Sequence, residues 1–152
     1  MIGWLLDTNV IASLIAPDGA PSVKRWAAGE AEDRFNLSVI TLAEYDKGIS
    51  GLAEDDPRRA RHAANRDAIE ARFGARVLPL TNAAVRRWGV ISGRVRRDTG
   101  HPPPVIDTLL AATAIEARLY LVTRNIRDVS RTGAAVFNPW EDDRADFPLT
   151  SS

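Results

Sequence analysis

Short apolar runs of strand length alternate in this chain with longer stretches of helical periodicity, a pattern that restricts the fold to a parallel sheet covered by helices. The strand candidates are Trp4–Leu6, Phe35–Ser38, Val77–Leu80, Tyr120–Val122 and Ala135–Phe137. Between them Asn9–Ile15, Ser22–Ala28, Thr41–Ile49, Pro57–Phe73, Asn82–Thr99 and Ile106–Ala117 read as helices. Boundary residues agree with this division. Asp56-Pro57 supplies an N-cap followed by proline at the first helical position, and Gly74 stops the helix that ends at Phe73. Thr81-Asn82 opens the next helix, and Gly100 closes it before the rigid His101-Pro102-Pro103-Pro104 segment. The expected architecture is a three-layer α/β/α domain with a central, mostly parallel five-stranded sheet. No internal repeat or long linker divides the chain, so residues 1–140 are expected to form one domain and 141–152 a loosely ordered acidic tail.

With 152 residues and 45% hydrophobic content, the chain can bury one core but not two. The absence of cysteine excludes disulfides, thiolate zinc sites and cysteine nucleophiles together. The opening Met1-Ile2-Gly3-Trp4-Leu5-Leu6-Asp7 lacks a basic region and reaches an acid after a few apolar residues, unlike a secretory signal. No apolar stretch has the length of a bilayer span. A cytoplasmic protein without membrane contact is expected.

The formal net charge of +0 conceals a segregation. Residues 1–56 carry four basic against ten acidic side chains, residues 57–140 carry fifteen against six, and residues 141–152 one against four. Arg58, Arg59, Arg61, Arg66 and Arg72, then Arg86, Arg87, Arg94, Arg96 and Arg97, could form a phosphate-attracting surface, since guanidinium binds phosphate oxygens bidentately. A solvated helix face accounts for the same residues equally well.

Three acids stand in or beside apolar surroundings. Asp7 ends the run Ile2–Leu6, Glu44 follows Leu37–Ala43, and Asp107 precedes Leu109-Leu110-Ala111-Ala112. A carboxylate in such a setting must protonate, pair or coordinate a cation, and no local Lys or Arg neutralises Asp7 or Asp107. In open parallel sheets, ligands sit beyond the carboxyl ends of the strands, where Asp7 and the Thr123-Arg124-Asn125 segment should meet. Glu44 falls one turn into the helix after the second strand and Asp107 in the first turn of another, where a helix N-terminus stabilises a carboxylate by about 0.3–1 kcal/mol. The acids themselves could be ordinary N-caps instead. Oxygen donors suit magnesium or manganese; zinc would find only His62 and His101.

The remaining polar residues have double readings. Thr8 and Asn9 could cap the first helix or orient Asp7, and Thr123 could cap a turn or hydrogen-bond a ligand carboxylate. Arg124 could contact a substrate phosphate or simply be exposed. His62 reads as solvated and His101 as part of a turn. Trp4 belongs to the first strand, Trp26 and Trp88 to the core or a dimer interface, and Trp140 to the docking of the C-terminal segment.

Four segments together resemble PIN-domain ribonucleases, and more narrowly the VapC and FitB toxins of bacterial toxin–antitoxin pairs. They are Leu5-Leu6-Asp7-Thr8-Asn9-Val10-Ile11, Ile40-Thr41-Leu42-Ala43-Glu44, Ile106–Ala114, and Leu121-Val122-Thr123-Arg124-Asn125 through Asn138-Pro139-Trp140. The resemblance implies a metal-dependent endoribonuclease with Asp7, Glu44 and Asp107 as catalytic metal ligands for Mg2+ or Mn2+, leaving 5′-phosphate and 3′-hydroxyl ends. It also implies a homodimer, an RNA substrate and a cognate VapB-like antitoxin that lays an Arg or Lys near the acids. The chain departs from the family in one respect: many members have a fourth acid where Asn125 stands, and Asp128 is the nearest carboxylate that could replace it.

Two other functions compete. A haloacid-dehalogenase-like phosphatase also begins with a strand ending in Asp, but it normally places a second Asp two residues later, where this chain has Asn9. A PIN-like module that binds RNA or protein without cutting would accommodate the missing fourth acid.

Overall fold

Every residue of the first strand, β1 (Gly3–Leu6), is buried, as a central strand with helices on both faces requires. The computed structural model describes residues 1–151. Around β1 stand β2 (Phe35–Ser38), β3 (Val77–Leu78), β4 (Leu119–Val122) and β5 (Val136–Phe137), in the order β3-β2-β1-β4-β5. All four pairings are parallel, with Trp4 opposite Phe35 on one side and Tyr120 on the other. The helices are α1 (Thr8–Ile15), α2 (Pro21–Ala28), α3 (Val39–Ser50), α4 (Arg58–Phe73), α5 (Asn82–Thr99), α6 (Val105–Ala117) and α7 (Ile126–Val129). This is the expected α/β architecture. The chain builds outward from β1 to β3 on one side and returns to add β4 and β5 on the other, so the connections part between β1 and β4.

Alternation along the strands sorts the core into two layers. Trp4, Leu6, Phe35, Leu37, Tyr120, Val122 and Phe137 point to the face covered by α1, α2 and α4. Leu5, Leu119 and Leu121 point to the face covered by α6, where Ala111 and Ala114 let the helix approach closely. Trp4 lies 5.3 Å from Trp26 edge to face and 5.2 Å from both Tyr120 and Phe137. Such pairs contribute about 0.5–1.5 kcal/mol each beyond the area they bury. Gly3 lets β1 pass close to the turn that leads into β2, since a Cβ there would sit 2.6 Å from the Arg34 carbonyl oxygen.

Most element ends fall within one or two residues of the positions read from sequence. The third strand stops at Leu78 rather than Leu80 because Pro79 has no N–H to continue the ladder. The fourth helix starts at Arg58 rather than Pro57, with Asp56 still accepting the Arg58 backbone N–H at 2.9 Å. Thr81 and Gly100 act as expected: the Thr81 hydroxyl caps α5 through Ala84 N–H, and Gly100 ends it at φ 82°. Helix α7 is a single turn, too short to carry periodicity.

Residues 144–150 of the C-terminal segment make defined contacts with the domain. Phe147 packs 4.8 Å from Phe137 and 5.4 Å from Tyr120, and the Tyr120 hydroxyl donates to the Pro148 carbonyl at 2.9 Å. Arg144 pairs with Glu30 and lies 5.0 Å over the Trp4 ring. Composition suggested a solvated tail, but its few apolar residues close the open edge of the aromatic layer. Phe147→Ala is expected to lower unfolding stability by about 2 kcal/mol, less than a fully buried Phe because the ring is half exposed. Urea unfolding measures this, and a loss below about 0.5 kcal/mol, the range of inert surface changes, would mean that the segment lies loosely on the domain.

Candidate active site

Asp7 is the residue at which β1 ends and α1 begins. Its backbone N–H donates to the Val122 carbonyl at 2.9 Å, so the last rung of the β1–β4 ladder fixes its position. It is only 6% exposed. One carboxylate oxygen, Oδ1, caps α1 by accepting the Thr8 N–H at 2.7 Å. The other, Oδ2, accepts the Thr123 hydroxyl at 2.7 Å and the Asn9 amide at 3.2 Å. A carboxylate offers about four acceptor positions, so roughly one remains for a ligand.

The neighbours of Asp7 are themselves tied together. Thr123, fully buried just past β4, accepts hydrogen bonds from Asn9 Nδ2 at 3.3 Å and from Asn125 N–H at 3.0 Å. Asn9 Oδ1 accepts the Arg124 N–H at 3.2 Å. Thr8 does not cap the helix, a task Asp7 performs itself. Its hydroxyl instead donates to Glu44 Oε1 at 2.7 Å and lies 3.4 Å from the hydroxyl of buried Thr41. Thr8 therefore links the end of β1 to α3, on which Glu44 rides. Sequence reading passed over Thr41. The available signal was a hydroxyl inside the apolar run Val39-Ile40-Thr41-Leu42, although such residues often bond only to their own helix.

Asp107 stands in the first turn of α6. Burial, then the charges of Asp7, Asp128 and Glu44, push its carboxyl up to about 6. The helix N-terminus acts in the opposite direction and does not prevail. Asp7, Glu44 and Asp128 therefore lie within electrostatic reach of Asp107. None of them is ion-paired with Lys or Arg among the described residues. A divalent cation would relieve the repulsion that lifts Asp107, and the donors are all hard oxygens, which fits magnesium or manganese. No group of three Asp, Glu or His side chains among the described residues is arranged to hold a metal by itself.

The other residues singled out in the sequence separate into near and far. Asn125 precedes α7 and shares the Thr123 hydroxyl through its N–H; Asp128 lies on α7, exposed. Arg124 is exposed, with its guanidinium 5.2 Å over the Trp140 ring. His101 lies in the turn after α5, with its ring nitrogen 3.4 Å from the Thr99 carbonyl oxygen. His62 lines a cavity of about 800 Å³ between α1, α3 and α4, with Thr8 and Glu44 at its end. Trp26 is in the core, and Trp88 is half-buried beside Ile91, Val95 and Ala112. No helix among the described residues is long and apolar enough to cross a membrane.

Known proteins are similar to this chain along nearly its whole length. The toxin FitB of Neisseria gonorrhoeae is 30% identical over 91% of this chain and 99% of its own length. The VapC ribonuclease Y4jK of Sinorhizobium fredii is 26% identical over 90% of this chain and 97% of its own. A solved structure of FitAB bound to a DNA fragment superposes with a TM-score of 0.80 at 28% identity, covering 93% of this chain and 98% of that one. Residues 4–134 match the PIN domain family, and the chain belongs to that family.

Proposed function

We propose that this protein is the toxin of a toxin–antitoxin pair and acts as a metal-dependent endoribonuclease, with Asp7, Glu44 and Asp107 holding Mg2+ or Mn2+ at the carboxyl ends of β1 and β4. The observation that carries the reading is the unpaired set of carboxylates around Asp107, in a crevice where ligands of parallel sheets bind. Family membership supports it, as do the names of the FitB toxin and the VapC ribonuclease. Magnesium keeps several waters and takes only one or two carboxylates directly, so a ready-made cage of three acids is not needed. When bound, such an ion supplies an activated water and neutralises charge on the phosphoryl oxygens.

The protein's own residues prepare this chemistry. Thr123 and Asn9 hold Asp7 in one orientation, and Thr8 does the same for Glu44. Asp107 accepts its full negative charge at neutral pH only against its burial and the repulsion of its neighbours, and that repulsion favours any cation that enters. Asn125 can offer a carbonyl oxygen or order a water. Asp128, on the turn that follows, adds charge without needing direct contact. The basic stretch of residues 57–140 supplies attraction for RNA phosphates. The expected partners are RNA, a VapB-like antitoxin and a second copy of this chain.

Asp7→Asn keeps the size and the capping oxygen but turns an amide NH2 towards the Thr123 hydroxyl and the Asn9 amide, so it should still fold, with a lowered melting temperature. Cleavage of internal RNA bonds in the presence of manganese should fall by a factor of about 100 or more. Undiminished cleavage by that variant would end the assignment, and release of free phosphate from monoesters would favour a phosphatase instead. Calorimetry with manganese separates the noncatalytic alternative, which requires no binding.

A second expectation concerns stability. Because the carboxyl of Asp107 is raised to about 6 in the folded protein, its ionisation opposes folding. That opposition is absent below the ordinary carboxyl range near 4 and grows as pH rises through about 6. Asp107→Asn should therefore melt about 2–4 °C above the native protein in EDTA at pH 7.5, and the difference should vanish towards pH 4. Manganese should raise the melting temperature of the native protein but not of the variant. A variant less stable at pH 7.5 in EDTA would show that Asp107 is not under repulsion.

A further inference from the structure

Arg76, Arg124 and Arg144 lie over aromatic rings, and of these three only Arg124 has no carboxylate partner among the described residues. Arg58, Arg66, Arg72, Arg87 and Arg144 all pair with carboxylates. Among the described residues no carboxylate pairs with Arg124, although the acidic crevice begins one residue away. Its guanidinium lies 5.2 Å over the ring of Trp140. A guanidinium resting on an aromatic face keeps its in-plane N–H groups free, the geometry that meets a phosphate bidentately. The stack itself is worth about 0.5–1 kcal/mol at an exposed site, enough to favour one orientation.

Both halves of the pair are anchored. The Arg124 backbone N–H donates to Asn9 Oδ1 at 3.2 Å, and the same Asn9 donates to Asp7 Oδ2 at 3.2 Å. Arg124 is thus indexed to Asp7 through one side chain. Trp140 follows β5, on the same end of the sheet as Asp7 and Thr123, since the Thr123 N–H donates to the Phe137 carbonyl at 3.1 Å. Its backbone N–H donates to Asn138 Oδ1 at 3.0 Å, and the buried Asn138 in turn donates its N–H to Asp142 at 2.8 Å. Two turns that start from neighbouring strands therefore converge to place a cation with free donors beside the acids.

We infer that Trp140 is a positioning residue that holds Arg124 as a clamp on a backbone phosphate of the RNA strand next to the bond that is cut. The inference rests on the nuclease reading above. An arginine placed directly among the acids would neutralise them and displace a metal. Stacking on Trp140 keeps the charge at the rim, where it attracts a phosphate without entering the metal's place. Arg124 contributes binding and register, and Trp140 acts only through it.

The test is binding of a fluorescent single-stranded RNA oligonucleotide of mixed sequence to the full chain in EDTA, where no cutting occurs, across a range of salt. Arg124→Ala should weaken binding about tenfold and reduce the slope of log affinity against log salt by about 0.7, the loss of one contact to a single strand. Arg124→Lys should restore the slope but not the full affinity, because a lysine keeps the charge and loses the fork and the stack. Trp140→Phe should bind within about twofold of the native protein, and Trp140→Ala should resemble Arg124→Lys. Native affinity and slope in Arg124→Ala would overturn the clamp. Native affinity in a folded Trp140→Ala would overturn the positioning role. A native protein that cuts RNA while Arg124→Ala binds normally would sink this inference alone, whereas a native protein that neither binds nor cuts RNA would sink it together with the nuclease reading.

Discussion

The hydrogen bond from the Thr123 hydroxyl to Asp7, 2.7 Å long between residues 116 positions apart, sets the direction of the polar contacts that Asn9 and Asn125 make beside it. Having given its only hydrogen to Asp7, the fully buried Thr123 can act towards its other neighbours only as an acceptor. It therefore takes N–H groups from Asn9 and Asn125. That in turn aims the Asn9 amide nitrogen at Asp7 and leaves Asn9 Oδ1 for the Arg124 N–H. A chain of bonds with one consistent polarity runs from β4 to β1 and back. The buried Thr123–Asp7 bond is the link that low polarity strengthens most, while the links to Asn9, Arg124 and Asn125 lie nearer solvent. The bond exists because β1 and β4 are adjacent in the sheet, with Leu6 opposite Val122, so the strand order comes before the site.

The same crevice works against the stability of the fold. Asp107 sits where a helix N-terminus favours its charge, yet burial and three nearby carboxylates outweigh that and move its carboxyl upward. The opposing contribution comes from the aromatic layer under β1, β4 and β5, in which Trp4, Trp26, Tyr120 and Phe137 interlock. The C-terminal segment belongs to this layer. Arg144 closes over Trp4 and pairs with Glu30, whose side chain is 9% exposed and would otherwise be a buried charge. Removing one partner of such a pair costs more than the pair contributes. The acidic segment after Trp140 therefore helps hold the domain that carries the acids.

Sequence showed the parts of this arrangement that depend on periodicity and on local signals. The alternation of runs fixed the sheet, and β1 was recognisable because a continuous apolar run ends abruptly at Asp7. Helix ends were readable where a single residue decides them, as at Thr81 and Gly100. What escaped depends on distant partners. That Thr8 reaches Glu44 follows only from α3 lying against the end of β1. That Asp7 caps α1, leaving Thr8 and Asn9 free for other bonds, depends on a side-chain orientation set by Thr123. The contacts of the tail were not legible because its charges outnumber its apolar residues, while Phe147 alone supplies two of its aromatic contacts.

Asn125 can be understood from charge rather than from ligand count. Burial, with the charges of Asp7, Asp128 and Glu44 added to it, already raises the carboxyl of Asp107 to about 6. A further carboxylate at 125, whose backbone is bonded to Thr123 and so to Asp7, would add repulsion at the most crowded point. An amide there keeps an oxygen and removes the charge. Meanwhile Asp128, one turn along on α7, still acts on Asp107 through space. On the proposed reading, the negative potential that draws in a dication is kept while one of its sources is moved outward to an exposed helix. The ion would then be held by fewer direct carboxylates and more waters, as a small, strongly hydrated cation prefers.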